Sequence, residues 1–166
     1  MRIRTEGLAL VLATVIMSLT ACSGSASVTA SDYLGDYAYD APISAMVYEN
    51  LDGEGYGIVY REVTDYDKMI GYADVPILLY FFSSVSSGSG DATALVEQLA
   101  EDEHGKILVV SIDISLEKDL VSNFSISRSP DFVILKNGVA KGKFSDQYGD
   151  NWNDADLTDW VGGFLG

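Results

Sequence analysis

The chain has 166 residues, 48% of them hydrophobic, and carries 25 acidic against 10 basic side chains for a formal charge of −15. A charge of that sign excludes nucleic acid as a partner, because a phosphate backbone would repel it, and it gives no electrostatic hold on anionic lipid. The apolar content suffices for one domain with its own core, and the single cysteine, Cys22, excludes a disulfide framework.

Arg2 and Arg4 make a short positive end, and Gly7 to Met17 form an apolar run. That run is shorter than the ~20 residues a membrane-spanning helix needs. Small residues follow, which completes the pattern of an export leader. The tetrapeptide Leu19-Thr20-Ala21-Cys22 is similar to the bacterial lipobox. In that motif the cysteine sulfur takes a diacylglyceryl group and the chain is cut before it, and two acyl chains suffice for stable anchoring. The expected organisation is a leader over 1–21, a lipidated tether over 22–43 and a folded domain over 44–166. Such a protein would sit on the outer face of a membrane in a bacterial envelope. Ser23 to Ala30 is small and polar, as a flexible tether is. Asp32 to Asp40 interleaves Tyr33, Tyr37 and Tyr39 with aspartates, and is expected either to stay disordered or to dock on the domain.

Within the domain, Ile58 to Val63 is rich in β-branched and aromatic residues and reads as a first strand. Thr64 is the expected cap of a short helix through Met69 and Ile70. Ile77 to Phe82 is a continuous apolar run after Pro76, suited to a strand buried on both faces. Asp91 to Asp102 follows as a helix with an apolar stripe of Leu95, Val96 and Leu99. Ile107 to Ile112 is a second buried strand, and Leu116 to Phe124 a second helix. Phe132 to Leu135, the turn Asn137-Gly138, and Val139 to Phe144 make a hairpin. Leu157, Trp160, Val161 and Phe164 have helical spacing, with caps expected at Asn153 or Asp154. This order predicts an α/β domain: a mixed β-sheet flanked by helices on both faces.

The order and several strings resemble the thioredoxin family over roughly Ile58 to Gly166. Ile126 to Gly138 carries Ser129-Pro130, then a strand, then Lys136-Asn137-Gly138. The family places there a cis-proline, a strand and a hairpin turn. Pro76 to Phe82, followed at once by a loop and a helix, stands where the family holds its Trp-Cys-Gly-Pro-Cys redox motif. The resemblance sets Ser86, Ser87, Gly88 and Ser89 on the Cys-X-X-Cys positions and Tyr80 on the position of the buried acid used in proton transfer. The nucleophile of thiol–disulfide exchange is a thiolate, and a serine hydroxyl has no such couple. Acylation would block Cys22 as a substitute. The chain is therefore expected to lack oxidoreductase activity and to need no cofactor.

A hydrolytic serine in that loop would need a base, and the only histidine, His104, is expected past the far end of the following helix. The Ser/Gly loop reads instead as a polar helix cap. Asp146, Asp150, Asp154, Asp156 and Asp159 lack the spacing of a calcium loop and read as a solvated helix start, so no metal is expected. Asp52 to Gly57 reads as a turn. In the family the backbone before the cis-proline pairs with an extended substrate. The resemblance thus implies a peptide groove at Ser86, Ser87, Ser89, Ser129 and Pro130, for an envelope protein or peptide. The competing readings are a divergent member of a thiol–disulfide oxidoreductase system and a structural envelope subunit.

Overall fold

The computed structural model describes residues 27–85 and 89–166. A short 3-10 turn (Ala30–Tyr33) leads into β1 (Leu34–Tyr37), β2 (Ile43–Asn50) and β3 (Tyr56–Val63). Then come α1 (Tyr66–Tyr72), β4 (Ile77–Phe82), α2 (Ser89–Asp102), β5 (Leu108–Asp113) and α3 (Lys118–Asn123). The chain finishes with β6 (Asp131–Lys136), β7 (Val139–Lys143), α4 (Phe144–Gln147) and α5 (Asp154–Gly162). The strands form one seven-stranded mixed sheet in the order β1-β3-β2-β5-β4-β6-β7.

β4 runs parallel to β5 and antiparallel to β6, so it lies in the middle of the sheet with both faces covered. Its six residues divide by parity, as the two-residue period of a strand requires. Ile77, Leu79 and Phe81 join Met69 of α1 and the α3 residues Leu120 and Val121 on one face. Leu78 and Tyr80 join Val96 and Leu99 of α2 and Leu157, Trp160 and Val161 of α5 on the other. The expectation of helices on both faces holds.

The second face carries a run of aromatic contacts. Phe164 packs on Trp160, Trp160 on Phe144, Phe144 on Phe132, Phe132 on Tyr80 and Tyr80 on Phe82, with centroids 5.3–5.7 Å apart. Trp152 meets Phe132 and Phe144 from the side. Gly142 of β7 makes this seat possible, since a Cβ there would lie 3.0 Å from Phe164 and 3.3 Å from Trp160.

Three expectations need correction. The expected domain start at 44 is crossed: β1 pairs with β3, which is the docked alternative for 32–40, and β2, which begins at Ile43, sits between β3 and β5. No strand is expected from the sequence over 43–50, yet Ser44, Ala45 and Met46 of β2 are buried. Asp65, not Thr64, caps α1, accepting from the Lys68 N–H at 3.0 Å; the Thr64 hydroxyl donates instead to the Tyr33 carbonyl. Phe144 ends no strand. It opens α4 and turns into the core.

Candidate functional site

The ends of β4, β5 and β6 converge. Phe82 closes β4 in parallel register with Asp113, while Phe81 lies opposite Asp131 across the antiparallel ladder. The residues just before Asp131 therefore stand beside the start of the loop that leaves β4. Those residues are Ser129 and Pro130, joined by a cis peptide bond. Ser83, the first residue of the loop, is buried, and Val85 is exposed. Cys22, Ser86 and Ser87 lie outside the described residues, and of Ser89 only the backbone is described, as the first residue of α2.

Three polar groups fix this corner, and reading the sequence gave none of them a role. Asp131 is 0% exposed. Its carboxylate accepts from the Phe132 N–H (2.9 Å), the Ser145 N–H (3.2 Å) and the Ser145 hydroxyl (2.7 Å). A buried carboxylate is tolerable only when hydrogen-bonded in this way. The bonds tie the residue after Pro130 to α4. Arg128 ties the residues before it, donating to the Asp150 carboxylate at 2.5 Å and to the Tyr148 carbonyl at 2.6 Å.

Asp113, 5% exposed, accepts from the Ser115 N–H at 2.7 Å and the Ser115 hydroxyl at 2.6 Å. Burial pushes its pKa up. The Ser115 bonds, a bond from the Ser84 hydroxyl and the nearby Lys118 charge outweigh that and hold it below 3.8. A hint of Asp131 was present in the sequence, as an acid opening an otherwise apolar strand.

Tyr80, 1% exposed, lies beneath this corner, and its hydroxyl is 2.9 Å from that of Thr93 on α2. Burial raises its pKa, partly opposed by the Thr93 bond. A phenol, not a carboxyl group, thus stands at the position that the resemblance matched to the family's buried acid.

The remaining candidates fall apart spatially. His104 is exposed beyond the end of α2, with Nδ1 2.7 Å from the Glu101 carbonyl and its ring on Tyr48. Asn153 caps α5 by accepting from the Ala155 and Asp156 N–H groups, and Asp156 returns the bond. Residues 52–57 form the β2–β3 turn and the start of β3, with positive φ at Asp52, Gly53 and Gly55. Among the described residues no group of three His, Cys, Asp or Glu side chains is placed to hold a metal ion.

The thioredoxin family model matches residues 57–161. The chain belongs to the thioredoxin family. It is 30% identical over 86 residues to thioredoxin-1 of Drosophila yakuba, covering 51% of this chain and 80% of that one. It is 26% identical over 81 residues to a thioredoxin of Rickettsia bellii, covering 48% and 77%. Among solved structures, mitochondrial thioredoxin 3 of Saccharomyces cerevisiae in its oxidised form superimposes with a TM-score of 0.51 at 18% identity, over 60% of this chain and 88% of that chain. At that identity the likeness speaks for the fold alone.

Proposed function

We propose that this protein is a lipid-anchored, extracytoplasmic member of the thioredoxin family that has given up thiol chemistry and binds an extended segment of an envelope protein or peptide. One observation carries the reading: residues 57–161, the part that matches the family, contain no cysteine. Without a thiolate there is no nucleophile for a disulfide and no couple to poise. Removing the two sulfurs ends the covalent step but leaves a corner where Ser129 and Pro130 stand beside the loop after Phe82. Main-chain pairing at such a corner needs no thiol. The anchor at Cys22 rests on the leader and the lipobox-like tetrapeptide.

Insulin reduction tests the loss of chemistry. The purified protein should give no turbidity above a no-protein control with dithiothreitol present, and turnover would sink the claim. Metabolic labelling with a clickable fatty acid should mark the wild type and not Cys22→Ala. A photo-crosslinking amino acid at position 129 should capture an envelope protein that the same probe at Val139, on the sheet edge, does not. Identical capture from both positions would remove the corner as the binding surface.

A further inference from the structure

A cavity lies between the sheet and α2, next to the end of β4. It has about 290 Å³ of atom-free space including its mouth. Four aromatic rings line it: Tyr39, Tyr60, Tyr80 and Phe82. Met46, Thr93 and Ser111 complete the wall, so no lysine, arginine or histidine faces it.

The polar atoms of the wall already hold protein partners. Tyr60 donates its hydroxyl to Glu97 at 2.6 Å, Tyr80 and Thr93 share a bond, and Ser111 donates to the Ser44 carbonyl. The charge bonded to the wall is thus a carboxylate, in a chain whose formal charge is −15. Tyr39 is 59% exposed and packs edge-on against Tyr60 with centroids 4.9 Å apart, so the cavity is reached from solvent past its ring. Its turn is pinned, since Ala38 donates its N–H to the Tyr60 carbonyl and its own carbonyl accepts from the Ser44 hydroxyl.

Aromatic faces carry negative quadrupole charge and attract cations. An anion meets the rings and Glu97 unfavourably, and a neutral apolar ligand gains only burial. A primary ammonium is compact and strongly hydrated, and would lose much of that water against rings and a thioether. A trimethylammonium group needs no acceptors, and its apolar methyls suit those same walls. We propose that this cavity is an aromatic cage for a small methylated ammonium ion free in solution, with a head of the choline type. Tyr39, Tyr60, Tyr80 and Phe82 supply the ring attraction, and Glu97, which is not in the wall but bonded to the Tyr60 hydroxyl, adds negative charge from behind. The proposal stands apart from the peptide-binding reading and shares none of its residues.

Titration calorimetry of the full-length protein with choline chloride, at ionic strength matched by sodium chloride, tests it. The comparison ligand is 3,3-dimethylbutan-1-ol, the uncharged isostere of choline. Choline should bind saturably and about tenfold tighter than the alcohol. Tyr39→Leu should weaken choline by about tenfold, and Tyr39→Trp should keep or improve it. Glu97→Gln should weaken choline while leaving the alcohol unchanged, which provides a second route if either Tyr39 variant unfolds. No saturable choline binding, equal affinity for the two ligands, or unchanged choline affinity in both folded Tyr39→Leu and Glu97→Gln would each overturn the cage.

Discussion

The N-terminal stretch 27–56 and the family-matched body 57–161 contribute to one sheet in different ways. The body carries the strand–helix alternation of the thioredoxin family, and its central strand β4 is buried on both faces. The stretch before it lies outside the family match, yet its β2 sits inside the sheet, hydrogen-bonded to β3 on one side and β5 on the other. Ala45 packs on the face of α1 and α3, and Met46 on the face of α2 and α5. An added strand is accepted in a sheet interior when its backbone pairs on both sides and successive side chains suit both layers. The body contains no cysteine, whereas the stretch before it brings Tyr39 and Met46 to a cavity whose other walls belong to the body.

The comparison breaks most directly by deletion. Removing 27–56 would strip pairing from β3 and β5 and open both faces, so the truncated protein should show no cooperative thermal transition by circular dichroism. A sharp melt like that of the parent would make the addition an accessory. Next in size is Asp131→Ala in the body, which takes the acceptor from the buried Phe132 N–H and from two part-buried Ser145 donors. It should cost about 4 kcal/mol in urea unfolding, with Asp131→Asn milder. Met46→Ala measures the stake of the added strand in the shared core, and about 3 kcal/mol is expected from lost contact and residual cavity.

Asp113 gives a smaller, pH-dependent effect. Its folded pKa is lowered, so its contribution to stability is present above the ordinary value of 3.8 and lost as pH falls through the lower folded value. Asp113→Asn should flatten that part of the acid limb in urea midpoints measured from pH 2 to 6. Arg128→Ala should be the least costly. Its partner Asp150 is 90% exposed, so about 1 kcal/mol is expected, and a larger loss would make the Arg128 tie a principal support of the corner.

The body was largely legible in the sequence, because its signals are local. Ile77 to Phe82 is one apolar run and became β4 with the same limits. The Ser129-Pro130 and Asn137-Gly138 pairs mark turns by themselves, and both turns are where they were expected. The addition was not legible. Ile43 to Asn50 becomes a strand because β3 and β5 flank it, and composition alone cannot show a partner 60 residues away. Thr64 and Asp65 are both competent caps, and the chain entry into α1 chose between them. The corner's fixing groups were hidden for the same reason: Asp131 finds donors on Ser145, and Arg128 finds acceptors on Tyr148 and Asp150. The cavity draws its wall from residues 39, 46, 60, 80, 82, 93 and 111, and only 80 and 82, one period apart on β4, are connected by a spacing rule.

The aromatic run across the second face has an optical consequence. Tyr80 and Phe82 border the cavity, and contacts through Phe132 and Phe144 lead from them to Trp152 and Trp160, the only two tryptophans in the chain. Light absorbed by tyrosines at the cavity should transfer directly through space to the nearby indoles, since the phenylalanines between them lie too high in energy to relay it, and emerge as indole emission. The protein thus carries a built-in reporter: with excitation at a tyrosine wavelength, quenching or brightening of tryptophan emission would register events at a cavity wall that holds no tryptophan itself.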